Sequence, residues 1–298
     1  MEKKSKDKRL FVILFGMLLV AGTAAAGPPG AGWLTRLDQA LEQAARQDRY
    51  VLVDLYAEWC GWCKVLEKEV FSTPEFRDFT KDFVLLRVDV DDGAEGSALQ
   101  ARFGIYSLPT TLVMDADQVR VGTVAGFAPA GPFLAKLAAA IASYDGFIES
   151  YERMKTSDDL GVLYGLADEL HTRGDGARAA EVYHRILRHI GEGAPKAAWI
   201  QFLIADAYRL AGRYADAQDV LRRARTLSER TSAENADGRD LRERIDLLGA
   251  RIAQESRDCE QARSSLESFL EKHPRSSYRR DAQKTLDALR RGEMQGCA

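Results

Sequence analysis

Val51-Leu-Val-Asp-Leu-Tyr-Ala-Glu-Trp-Cys-Gly-Trp-Cys-Lys64 is the stretch on which the rest of the chain depends. A run of apolar and β-branched residues ends abruptly in two cysteines with two residues between them. The run suits a buried strand, and Lys64 to Phe71 that follows has helical spacing. Cys60 therefore falls where a strand gives way to a helix. Unsatisfied N–H groups and the helix dipole favour an anion there, in this case a thiolate. A Cys-x-x-Cys pair placed in this way is arranged for thiol–disulfide exchange.

On either side of this stretch, helical and strand patterns alternate. Trp33 to Gln47 carries apolar residues at Leu34, Leu37, Leu41, Ala44 and Ala45, the spacing of an amphipathic helix. Tyr50 to Ala57 is the opening strand. Ser72-Thr-Pro-Glu75 reads as a helix start, with Ser72 or Thr73 as N-cap and Pro74 in the first turn. Phe83 to Val90 is a second strand, and Ser97 to Phe103 a short helix closed by Gly104. Thr110 to Asp115 and Val119 to Ala125 form two more strands around the turn residues Asp115-Ala-Asp117. Phe133 to Ser143 is a closing helix. The expectation is a mixed α/β domain over residues 33–143.

From Asp145 onward no strand pattern appears, and residues 150–298 read as an all-α domain. A repeat runs through it. Ala167, Leu170, Gly174, Ala179 and Tyr183 are echoed by Ala205, Tyr208, Gly212, Ala217, Leu221 and Ala224. A third, degenerate copy holds Ala250, Ala253, Ala262, Leu266 and Phe269. Small residues at fixed positions let antiparallel helices approach closely. The pattern is similar to tetratricopeptide repeats, although the Trp-x-x-Leu-Gly opening of that consensus is missing.

The N-terminus reads as an address. Met1 to Arg9 holds five basic and two acidic residues, Leu10 to Ala21 is almost wholly apolar, and Ala24-Ala-Ala26 offers a small-x-small cleavage pattern. A signal peptide over 1–26 is expected, with an uncleaved membrane anchor as the alternative. The apolar run is short for a span. Net charge is −3, and removing a +3 leader leaves −3 − 3 = −6. No basic block lies outside the leader, which argues against nucleic-acid binding. The expected location is the periplasm, with no membrane contact after cleavage. His171, His184, His189 and His273 all lie far from the cysteine pair, and nothing has metal-site spacing, so neither metal nor cofactor is expected.

Asp54-Leu-Tyr-Ala-Glu-Trp-Cys-Gly-Trp-Cys-Lys64, Phe103-Gly-Ile-Tyr-Ser-Leu-Pro-Thr-Thr-Leu112 and Gly126-Phe127 together resemble the thioredoxin superfamily. Leu66-Glu-Lys-Glu-Val-Phe71 and Ser72-Thr-Pro74 look like the C-terminal thioredoxin domain of the DsbD interchange family. The resemblance implies a thioredoxin fold, and it assigns roles by position. Cys60 matches the attacking cysteine and Cys63 the resolving one. Asp54 matches the buried acid beneath them, suited by a raised pKa to take the Cys63 proton. Pro109 matches the cis-proline facing the pair. The backbone of Leu108 would then pair with an extended substrate strand. Trp59 matches the tryptophan before the first cysteine, and Trp62 beside the disulfide would serve in partner docking.

These roles imply an extracytoplasmic protein-disulfide oxidoreductase, a reductase by analogy, whose partners are protein disulfides or dithiols and a redox partner. The helical repeats would dock a protein. The other reading is an envelope scaffold in which the thioredoxin domain is mainly a binding platform. The Cys pair, Asp54 and Pro109 together favour exchange chemistry. A structural Cys259–Cys297 disulfide is also expected. If Cys259 starts a helix that turns back at Pro274-Arg275, the tail returns to its neighbourhood.

Overall fold

The computed structural model describes residues 32–230 and 236–292. Its first part is a five-stranded sheet. The strands are β1 (Trp33–Leu34), β2 (Tyr50–Tyr56), β3 (Phe83–Asp89), β4 (Thr110–Met114) and β5 (Arg120–Ala125), in the spatial order β1-β3-β2-β4-β5. β1, β3 and β2 run parallel, while β4 is antiparallel to β2 and β5 to β4. The central strand β2 is buried between Val51 and Leu55, which explains its nearly unbroken apolar run. β3 alternates between buried and half-buried positions along its length.

Trp33–Leu34 departs from the expected helix. These residues pair with Leu85 and Leu86 of β3, and the helix α1 (Leu37–Gln47) begins only at Leu37. The Trp33 ring accounts for this, since it packs on Phe71 and Phe76 with centroids 5.3 and 6.2 Å away. Aromatic burial at the sheet edge outweighs the extension of α1 by one turn.

Helices cover both faces of the sheet. α2 (Gly61–Leu66) continues through a wide π-helical turn over Glu67–Phe71. α3 (Pro74–Phe79) starts as expected, with the Thr73 hydroxyl accepting from the Phe76 N–H at 3.2 Å. α4 (Glu95–Phe103) is capped at its start by Asp92, which accepts from the backbone of Ala94, Gly96 and Ser97. Its end is closed by Gly104 at φ 61°. The turn before β5 is held by the Asp115 carboxylate, which accepts from Asp117 and Val119.

The closing helix is longer than its sequence signal. α5 runs without a break from Ala130 to Met154, so the domain limits expected at 143 and 150 both fall inside it. Phe147 on this helix packs against both the sandwich core and the core of the helical part. Beyond it come α6 (Leu160–Arg173), α7 (Gly176–Ile190), α8 (Ala197–Leu210), α9 (Tyr214–Arg230), α10 (Ala236–Glu255), α11 (Cys259–Lys272) and α12 (Arg279–Arg290). Each packs on the next in sequence.

The small residues of the repeat pattern, Ala167, Ala179, Ala205, Ala217, Ala253 and Ala262, are all fully buried. Gly174 and Gly212 take φ of 80° and 70° where one helix turns into the next. The equivalent position in the degenerate copy, seven residues after Ala250, is Arg257, and it too is left-handed at φ 64°. An L-residue held there costs about 1–2 kcal/mol. Arg257→Gly is therefore expected to stabilise the chain by about 1 kcal/mol. A rise in the urea unfolding midpoint checks this.

Candidate functional site

The site lies where β2 ends and α2 starts. Cys60 is the N-cap of α2, and its sulfur accepts the Cys63 N–H at 3.1 Å. The two cysteines form a disulfide with S–S 2.05 Å and Cα–Cα 5.3 Å. Cys60 is 4% and Cys63 2% exposed, so in this oxidised state the attacking sulfur assigned by resemblance is nearly as covered as the other.

The other residues singled out by sequence are placed as follows. The Leu108–Pro109 bond is cis, and the Pro109 carbonyl accepts from Gly126 N–H at 2.8 Å. Leu108 packs against the cluster that contains both cysteines. Trp59 is largely exposed, and its indole N–H donates to Asp91 at 2.6 Å. Trp62 is also exposed and lies in a stacked arrangement on Phe127, with centroids 5.6 Å apart. Cys259 opens α11 in the helical part. Cys297 lies outside the described residues, and with it the expected Cys259–Cys297 pairing.

Asp54 is 1% exposed in the middle of β2. Burial pushes its carboxyl up to about 7, against the pull of the Arg87 guanidinium and with a further push from Glu67. Arg87 faces Asp54 across the β2–β3 register. Its Nε stands 3.4 Å from Asp54 Oδ2, which is ion-pair distance without hydrogen-bond geometry. Asp54 Oδ1 has no hydrogen-bond partner among the described residues. Arg87 donates instead to Glu67 at 2.9 Å and lies over the Tyr56 ring. The hydrogen bond from Arg87 holds the Glu67 carboxyl below its ordinary value. A cleft of about 340 Å³ is lined by Tyr56, Ala57, Glu58, Cys63, Lys64, Glu67 and Arg87. Cys63 and the guanidinium next to Asp54 thus border the same cleft.

Sequence reasoning gave no role to Arg87, nor to Glu67, Tyr106 and Phe127, which it quoted only within the stretches that carry the resemblance. Arg87 had a faint signal, as the lone cation in a mostly apolar strand. Tyr106, 96% exposed on the loop before Pro109, had none.

Chemically, the arrangement suits two-electron exchange. In the reduced form, one thiolate attacks a disulfide and releases a thiolate, forming a mixed disulfide. The second thiol then loses its proton and displaces the other product sulfur, re-forming Cys60–Cys63. Asp54, raised to about 7, lies in the strand that leads into the pair.

Known proteins resemble the N-terminal part of the chain. A family model described as thioredoxin-like matches residues 32–116. The thiol:disulfide interchange protein DsbD of Ralstonia nicotianae is 39% identical over 111 residues, which is 36% of this chain and 18% of that protein. The protein of the same name from Cronobacter sakazakii is 40% identical over 104 residues, or 34% and 18%. The chain thus spans under a fifth of the length of these relatives. The oxidised C-terminal domain of Neisseria meningitidis DsbD is similar at 27% identity, covering 35% of this chain and 89% of that one with TM-score 0.31. The N-terminal part of the described chain is a thioredoxin-superfamily domain.

Proposed function

We propose that this protein is a thiol–disulfide oxidoreductase that works on protein disulfides outside the cytoplasm, in the reducing direction. The observation that carries the reading is the Cys60–Cys63 disulfide at the start of α2, with cis-Pro109 beside its cluster and the raised acid Asp54 in the strand that leads to it. Cys60 attacks, Cys63 resolves, and Asp54 takes the Cys63 proton. The substrate strand pairs with the backbone of Leu108, and Trp59 and Trp62 line its approach. The leader over residues 1–26 directs the chain to the periplasm. The helical part docks a client or redox partner in the manner of tetratricopeptide repeats, and a Cys259–Cys297 disulfide clamps its end.

The test has two stages. The reduced protein is expected to accelerate insulin reduction by dithiothreitol, and an unchanged rate sinks the reading. Equilibration with glutathione then sets the direction. A reductase is expected below about −220 mV, whereas a potential at or above about −200 mV makes it an isomerase or oxidase.

A further inference from the structure

The contact between the helical part and the sheet is built from arginines and helix carbonyl ends. Arg102, in the last turn of α4, donates to Leu210 O at 3.2 Å and reaches Gly174 O at 3.5 Å. Leu210 ends α8, and Gly174 closes α6. Two helix C-termini, each carrying partial negative charge, thus converge on one guanidinium. Gly174 itself lies against α4, since a Cβ there would stand 3.5 Å from the Phe103 ring. Elsewhere on the same contact, Arg120 of β5 donates to Thr172 O at 2.9 Å, and Arg173 donates to Arg120 O and Val121 O.

What distinguishes Arg102 is where its helix leads. α4 ends at Phe103 and Gly104. Within five residues the chain has passed Tyr106, Leu108 and cis-Pro109, and Leu108 packs on the cluster that holds both cysteines. The Tyr106 ring projects into solvent from this loop, two residues past Gly104. The loop is held at its far end by the Gly126 N–H on Pro109 O and by Thr110 on Ser107 O, and at its near end it continues from a helix anchored to the helical part.

We infer that Arg102 is a positioning residue, which fixes the substrate-recognising loop 104–109 by bolting the end of α4 to the carbonyl ends of α6 and α8. The helical part thereby sets how well a protein disulfide is seated, without touching the sulfur chemistry. This rests on the proposed exchange function, but only for its kinetic arm.

The test compares Arg102→Met, which keeps the stem and removes the donors, with Arg102→Lys and Arg120→Met in the full chain. In Arg102→Met, amide hydrogen exchange over residues 104–108 is expected to quicken roughly tenfold, with β2 and β3 unchanged. The KM for insulin rises roughly tenfold, while the rate with hydroxyethyl disulfide stays within twofold. Arg102→Lys, a point charge in place of a fork, falls between the two and serves if the methionine variant does not fold. Arg120→Met weakens the same contact away from the loop and is expected to change neither readout.

Wild-type exchange and KM in both Arg102 variants overturn the proposal. So does an equal effect from Arg120→Met, which makes the arginines a general interface only. A wild-type protein inactive on both disulfides overturns the exchange function instead, and the hydrogen-exchange comparison still decides whether Arg102 holds the loop.

Discussion

Cys63→Ser is expected to turn the exchange site into a trap, and Cys60→Ser to silence it. Insulin reduction by dithiothreitol falls to the buffer rate in Cys60→Ser and steeply in Cys63→Ser, where only added dithiothreitol can release the substrate. With Cys63 gone, the Cys60 thiolate still attacks a substrate disulfide and expels one thiolate. Nothing then displaces the substrate sulfur from Cys60, so a covalent adduct accumulates that dithiothreitol releases. With Cys60 gone, no adduct forms. The assignment is the one the resemblance implies, and local structure supports it. Cys60 caps α2 and its sulfur accepts the Cys63 N–H, an arrangement that stabilises a thiolate at 60. Non-reducing electrophoresis and intact mass read the result. Adducts on Cys60→Ser and none on Cys63→Ser reverse the two roles.

Much of this site was legible because its determinants are local. An apolar run, a Cys-x-x-Cys and helical spacing sit within twenty residues, and periodicity reports each of them. Thr73 and Pro74 likewise announced α3, and Asp115 the turn between β4 and β5. The cis bond at Pro109 was different, since only the resemblance implied it.

What stayed hidden depends on contacts between distant parts of the chain. Arg87 reads as an ordinary half-buried strand residue until the register sets it opposite Asp54, 33 positions earlier. Trp33–Leu34 carries helical spacing, and only the rings of Phe71 and Phe76 make it a strand. The degenerate repeat copy lacks its glycine, so no residue type marked Arg257 as left-handed. Arg102 was invisible as well, because the carbonyls it meets belong to helices ending 72 and 108 residues later.

The buried acid leads to the second large effect, a pH-dependent gain in stability from Asp54→Asn. Burial raises the folded-state pKa of Asp54 from 3.8 to about 7. Below pH 4 the carboxyl is protonated in both folded and unfolded chains and contributes no difference. Between about pH 4 and 7 the unfolded chain ionises while the folded one keeps its proton, so stability falls as pH rises. Above 7 both are ionised and the full penalty stands. At about 1.4 kcal/mol per pKa unit, a shift of about three units amounts to roughly 4 kcal/mol. Asparagine cannot ionise, so Asp54→Asn is expected to stabilise the oxidised protein at pH 8 by up to that amount and by little at pH 4. Urea unfolding at the two pH values measures the difference. Equal gains at both would assign the effect to packing rather than charge. The same variant is expected to slow insulin reduction at pH 7 and to remove any inflection near pH 7 from the rate profile. Stability and rate then move in opposite directions on one substitution, as expected if the ionisable acid is kept for proton transfer at the cost of fold stability.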